Sequence, residues 1–188
     1  MTTSVASIRY VIDARTSQFT VQAFASGLIS AVAHSPKIAI RDWTGAVQMA
    51  SGSLEGASLK ILVKAASLEV LDELPDADRR ELHRVMNKEV LETAQFPEII
   101  YDSTMAAERL KEDLYRLNVR GRLHLHGVSN DQDFVAQASL GVDSARAYGS
   151  FTLLQSDYNI RIASIAGGTL KLQDELKFSF YVVARKAE

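Results

Sequence analysis

The sequence predicts an all-β protein in which antiparallel strands form a barrel or a sandwich together with one α-helix. Two observations lead to this prediction. Apolar and polar residues alternate over most of the 188-residue chain, which is typical of strands that bury one face. Only one segment has the spacing of an amphipathic helix, so the chain lacks the regular succession of strands and helices found in parallel α/β folds.

The clearest strand covers residues 114–126. Its odd positions from Tyr115 onward are apolar except for Gly121, and its even positions from Arg116 onward are polar or cationic. A helix would not separate these residues into two faces, whereas a strand places alternate side chains on opposite sides. One face of this strand is therefore predicted to be buried.

Shorter alternating runs predict the other strands. Turn residues such as those at 51–53 and 129–131 separate them. The chain between 38 and 47 is predicted to form one long or bent strand. About eight strands result, at residues 8–12, 19–23, 38–47, 59–65, 114–126, 134–140, 151–153 and 178–182.

One helix is predicted over residues 76–93. Asp78 and Glu81 have the spacing of a capping box in which Asp replaces Ser or Thr. Phe96 and Pro97 follow its end, as is common where a helix cannot continue. The helical spacing places four apolar side chains on one face, namely Leu82, Val85, Met86 and Val90.

The composition excludes several classes of protein. The sequence has no cysteine, which rules out disulfides, thiolate catalysis and cysteine zinc sites. Its net charge of −2 argues against a nucleic-acid-binding protein, for which a basic face is typical. At this length the chain is expected to form a single domain over residues 1–188.

No membrane-spanning segment and no secretory signal are expected. Residues 16–36 carry no Asp, Glu, Lys or Arg, but their glutamines, serines and histidine make them too polar to span a bilayer. The first seven residues lack the cationic start and apolar run of a signal peptide. We therefore expect a cytoplasmic protein, with a periplasmic location as the alternative.

The best metal candidate is the pair His124 and His126, whose side chains share one face of the predicted strand. Their spacing suits a shared zinc ion, but no third ligand is identifiable. The favoured interpretation places both histidines on the polar outer face that Arg116 begins. No metal is therefore assigned.

Two further polar residues are candidates for contact with a ligand. His34 precedes a turn and either touches a polar head group or, as we favour, bonds to the backbone. Glu89 falls on the predicted buried face of the helix, where an unpaired carboxylate is costly. It either caps the polar end of a ligand or, as we favour, pairs with a strand arginine or is partly exposed. With no nucleophile elbow or phosphate-binding loop, no catalytic residue and no cofactor are assigned.

Four segments resemble the YceI family, also described as lipocalin-like polyisoprenoid-binding domains. They are Tyr-Val-Ile-Asp at 10–13 with Phe-Thr-Val at 19–21, the helix end and aromatic-Pro turn at 90–99, the hairpin at 120–128, and Ser-Asp-Tyr-Asn-Ile at 156–160. The resemblance implies an eight-stranded antiparallel barrel with the helix beside or over an elongated apolar lumen. The ligands that it implies are isoprenoid quinones, polyprenyl phosphates or other long amphiphiles.

We therefore expect a non-enzymatic protein that binds and carries a long apolar or amphiphilic ligand in its lumen. The expected ligand is an isoprenoid quinone, a polyprenyl chain or a fatty-acid-like lipid. One alternative is an enzyme that acts on an apolar substrate beside His34 or Glu89. Another is a filled barrel that works through its surface or as a homodimer.

Small inward residues such as Ala136 and Ala138 favour a cavity, although an eight-stranded barrel is also small enough for side chains to fill. The residues predicted to contact the ligand are Phe19, Val21, Ile38, Ile40, Leu59, Ile61, Val63, Met86, Leu117, Val119, Leu123, Phe178 and Phe180.

Overall fold

The computed structural model describes residues 7–26, 35–162, 164–165 and 170–187, and it consists mainly of antiparallel strands. The strands are β1 Ser7–Ile12, β2 Gln18–Ser26, β3 Lys37–Ile40, β4 Trp43–Ala50, β5 Ser53–Lys64, β6 Leu68–Val70, β7 Glu98–Arg109, β8 Leu114–Leu125, β9 Val128–Asp131, β10 Phe134–Leu140, β11 Ser144–Leu154, β12 Ser164–Ile165 and β13 Leu170–Lys186. One α-helix, α1, covers Asp76–Val85 and continues as a π-helical turn over Met86–Val90. Two 3-10 turns cover Ala65–Ser67 and Gln155–Tyr158.

Eight strands close into a barrel. Antiparallel pairing runs in the order β1, β4, β5, β7, β8, β10, β11 and β13, and β13 pairs back with β1. Tyr10 lies opposite Lys186 at this closing pair, and Ile12 lies opposite Ala184. The predicted eight-stranded antiparallel barrel with a single helix is therefore confirmed.

The long strand β13 makes a second connection beyond the ring. Its first part pairs with β2, and β3 and β6 extend the sheet from there. A register shift between Leu172 and Leu176 interrupts the pairing with β2. Such bulges bend a strand, and this one lies where the pairing of β13 with β11 ends, at Glu175.

The strand assignment from sequence differs from the structure at several places. Residues 129–131, predicted as a turn, belong to β9 and pair with β8, and the short strands β6 and β12 were not predicted. The single strand predicted over 38–47 is wrong, because β3 pairs with β2 and β6 whereas β4 pairs with β1 and β5. The eighth strand of the ring, β7, was not predicted. The alternation of apolar and polar residues on β7 is weak, because the polar residue Ser103 lies on the inward face and the apolar residue Ala106 lies on the outer face.

The helix is shorter than the predicted span of 76–93. The amide of Leu91 donates a hydrogen bond to the carbonyl of Met86. Glu92 then adopts a φ of 45°, which is incompatible with a right-handed helix, so the helix ends there. The expected capping box is also wrong, since Pro75 is the N-cap and Glu81 instead bonds the guanidinium of Arg84. No helix in the described part of the chain is long and apolar enough to cross a bilayer.

Candidate functional site

The barrel encloses a cavity of about 270 Å³. Protein interiors are normally packed so closely that few voids exceed one water molecule, so the lumen is hollow rather than filled. The partial burial of inward-facing side chains agrees with this, because Val47, Leu59 and Ile61 point inward yet are only half-buried.

All thirteen residues predicted to contact a ligand line this cavity. They come from the strands β2, β3, β5, β8 and β13 and from the turn after α1, and their contact with a ligand stays a prediction. The thirteen are Phe19, Val21, Ile38, Ile40, Leu59, Ile61, Val63, Met86, Leu117, Val119, Leu123, Phe178 and Phe180.

The periodicity of the strands and of the helix explains why these side chains face the same cavity. On β8, Leu117, Val119 and Leu123 are buried, and the arginines between them point outward. The four apolar residues predicted to share a helix face, Leu82, Val85, Met86 and Val90, also line the cavity, so the helix and its π-helical turn cover part of the lumen.

Aromatic rings form a continuous row along one side of the interior. The ring centroids of Phe134 and Phe151 are 5.0 Å apart and those of Phe151 and Phe178 are 4.8 Å apart, in both cases nearly parallel. Tyr101 stacks on Phe134 at one end of this row, at 5.8 Å. At the other end Phe178 lies 5.8 Å from Phe19. Such a row offers a large apolar contact surface at low cost in conformational freedom.

Polar groups are rare in the lining. Apart from two tyrosines, only Arg146 and Gln155 among the described lining residues have polar side chains, and Arg146 is exposed. Within the described residues, no cluster of three or more His, Asp or Glu side chains is arranged to hold a metal ion. The arrangement is suited to holding an apolar molecule with few orienting polar contacts.

Tyr101 is held in place by a contact that only glycine permits. Its side chain crosses Gly121 on β8, where an added Cβ would collide with the phenol oxygen. The hydroxyl donates a hydrogen bond to the carbonyl of Gln132 at 2.8 Å. Gly121 interrupts the apolar alternation of β8, and a glycine inside a strand often marks such a close approach.

Burial raises the pKa of Tyr101 above its ordinary value of 10.0. The unfolded chain therefore loses this proton at lower pH than the folded protein does. Stability from this group is complete below pH 10 and is lost as the pH rises further. We expect the wild type to lose more free energy of unfolding between pH 8 and pH 11 than Tyr101→Phe, as measured by urea unfolding at each pH.

Tyr148→Phe serves as the matched control, because this change removes a phenol from an exposed position. Equal losses at high pH in the wild type and in Tyr101→Phe would contradict the role given to burial of Tyr101.

The prediction that His124 and His126 share the polar outer face is wrong for His126. His124 bonds the hydroxyl of Ser129 at 2.8 Å, as a surface residue of a hairpin can. His126 lies beyond the end of β8 with a φ of 51°, and its side chain is only 8% exposed. Because His126 lies outside the strand, its side chain does not follow the alternation of β8, and the rings of His124 and His126 do not lie on the same face.

His126 instead joins three segments of the chain. Its Nε2 lies 2.9 Å from a carboxylate oxygen of Glu92, and its Nδ1 lies 3.2 Å from the carbonyl oxygen of Tyr158. Its ring packs on Phe96 with centroids 4.4 Å apart. Glu92 and His126 have positive φ, as does Asn159 beside Tyr158, and among the described residues no other non-glycine residue does. Such backbone conformations persist only where the surroundings enforce them.

Glu89, one of the two other polar candidates, does not line the cavity. The carboxylate of Glu89 is 54% exposed and pairs with the guanidinium of Arg84 at 2.9 Å. Its predicted position on the buried face is therefore wrong, although Met86 and Val90 of the same π-helical turn do line the cavity. The favoured interpretation was an ion pair with a strand arginine or partial exposure. The partial exposure is confirmed, whereas the paired arginine, Arg84, belongs to the same helix and not to a strand. His34 lies outside the described residues.

Comparison with known proteins gives both a family and a fold. The sequence model of the YceI-like domain matches residues 10–184. The crystal structure of Burkholderia cenocepacia BcnA superposes with a TM-score of 0.69 at 14% identity, covering 92% of this chain and 98% of that one. A polyisoprenoid-binding domain from Saccharophagus degradans, implicated in plant cell wall breakdown, gives a TM-score of 0.69 at 14% identity, with 96% and 99% covered. No curated protein matches the chain.

Proposed function

Because the chain belongs to the YceI-like domain family, we propose that it binds a long apolar or amphiphilic lipid in the lumen of its barrel. The ligands we propose are an isoprenoid quinone, a polyprenyl chain or a fatty-acid-like lipid. The protein sequesters or carries this molecule and does not alter its covalent bonds.

The observation that carries this proposal is the hollow, apolar lumen of about 270 Å³. Transfer of a lipid chain from water into such a lumen contributes about 2.5 kcal/mol for each 100 Å² of apolar surface removed from water. A long chain thus offsets the cost of immobilisation with few polar contacts. The polyisoprenoid-binding domain from Saccharophagus degradans, which shares the fold, supports the choice of an isoprenoid.

The alternatives from the sequence have less support. A filled barrel is contradicted by the cavity. The enzyme hypothesis placed the substrate beside His34 or Glu89. His34 lies outside the described residues, and the side chain of Glu89 is exposed and paired with Arg84 outside the lining.

Two measurements test the proposal. We expect mass spectrometry of organic extracts of the purified protein to show a long-chain lipid in stoichiometric amount. We also expect geranylgeraniol to raise Tm, because a ligand that binds only the folded state stabilises it. At about one hundred times Kd the gain is about 2.7 kcal/mol, or roughly 5–10 °C for a domain of this size.

Glycerol at the same concentration is the control, since it has hydroxyls but no chain to bury. If no lipid is extracted and geranylgeraniol does not change Tm, the proposed function is wrong.

A further inference from the structure

Among the described residues of the lining, Gln155 is the one buried polar side chain that is not a tyrosine, and only 4% of it is exposed. It opens the 3-10 turn Gln155–Tyr158, directly after β11 ends. The neighbouring lining residues Leu153 and Ile160 are apolar. A single amide therefore faces an otherwise apolar part of the cavity.

The nitrogen of this amide already has its partners. Nε2 donates to the carbonyl of Gln173 at 3.0 Å and to that of Asp174 at 3.4 Å. The last residue of β11, Leu154, pairs with Glu175, so beyond it the two carbonyls of β13 receive no ladder bond from β11. The side chain of Gln155 donates hydrogen bonds to these carbonyls in place of β11, because buried backbone carbonyls need a donor.

These two bonds set which way the amide points. A flipped amide would hold its oxygen against two carbonyl oxygens, which only accept hydrogen bonds. Oε1 is therefore the atom left over. Among the described residues no donor to Oε1 is seen, and Oε1 is not one of the fully enclosed side-chain atoms that lack a partner. An acceptor in apolar surroundings is costly to leave without a donor.

We propose that Oε1 of Gln155 accepts a hydrogen bond from the polar end of the ligand. The inference rests on the proposed lipid binding and adds a preference to it. The lumen selects amphiphiles that end in a hydrogen-bond donor, such as an alcohol, over lipids of the same chain that end in an ether or a carbonyl. Among the proposed ligands, this preference favours a polyprenyl alcohol over an oxidised quinone. A ligand oxygen that carries no proton would place a second hydrogen-bond acceptor against Oε1, and neither atom could donate to the other.

The test compares geranylgeraniol with its methyl ether, which has the same chain but no donor. We expect the wild type to bind the alcohol roughly tenfold more tightly, as measured by isothermal titration calorimetry. Gln155→Met keeps an unbranched side chain of similar length but removes the acceptor, and the ratio of the two Kd values should fall to about one. Leu154→Met, at the neighbouring exposed position that does not line the cavity, is the control and should keep the ratio of the wild type.

The ratio is read within one protein, so a change in stability does not enter it. If Gln155→Met fails to fold, the wild-type ratio decides alone. Equal binding of alcohol and ether by the wild type overturns this inference and leaves the proposed function intact. A ratio unchanged in Gln155→Met also overturns it. If neither compound binds, the proposed function fails and the inference fails with it.

Discussion

Replacing Ile61 with tryptophan is expected to abolish lipid binding while leaving the ligand-free protein nearly as stable as the wild type. Ile61 lies on β5 opposite Gly45 and Tyr101, and its half-buried side chain lines the cavity. In a close-packed core the added bulk would cost about 1–3 kcal/mol. In a hollow lumen the indole occupies empty volume and buries its own apolar surface. It also blocks the space that the ligand chain needs.

The measurements are urea unfolding without lipid and the change in Tm with geranylgeraniol. Leu62→Trp is the matched control, because Leu62 is the next residue of the same strand and does not line the cavity. This variant should bind like the wild type. If Ile61→Trp still binds lipid, or if it loses more than about 3 kcal/mol of stability, the cavity is not the binding site we describe.

His126→Ala is expected to lower the free energy of unfolding by about 2–4 kcal/mol. The change removes both ring contacts, at 2.9 Å to Glu92 and at 3.2 Å to the carbonyl of Tyr158, together with the packing on Phe96. Residue 126 would keep its positive φ but lose the interactions that stabilise this backbone conformation. Because Glu92 lies two residues beyond the π-helical turn, next to its C-cap Leu91, we also expect faster amide hydrogen exchange over residues 86–91.

His124→Ala is the control for this prediction. It removes the same kind of side chain two residues earlier, where the ring contacts only the hydroxyl of Ser129. We expect it to cost less than about 1 kcal/mol, as surface changes usually do. Equal effects of the two substitutions in urea unfolding would mean that the contacts of His126 contribute little.

Local periodicity accounts for the part of the structure that the sequence predicted well. Alternation on β8 identified Leu117, Val119 and Leu123 as inward residues, and all three line the cavity. Helical spacing identified Leu82 and Val85 in the same way. These assignments succeed because the period of a strand or a helix places a side chain on a face without regard to what covers it.

Local periodicity does not indicate which strands pair with one another. Residues 38–47 look like one strand, yet β3 and β4 pair with different neighbours. β7 was missed because its inward face contains Ser103, whose burial is a consequence of its place between β5 and β8. Hydrogen bonding between strands joins residues distant in sequence, and no local pattern specifies which ones.

The sequence by itself thus determined the all-β class, the position of the helix and the apolar side chains that face the lumen. Only the tertiary structure decided that the ring closes between β1 and β13, that its interior is hollow, that His126 leaves the outer face, and that Oε1 of Gln155 is left without a donor within the described chain. The physical reason is the range of the interactions. Periodicity is a property of neighbouring residues, whereas cavity volume and the partners of a buried polar atom depend on segments that meet only when the barrel closes.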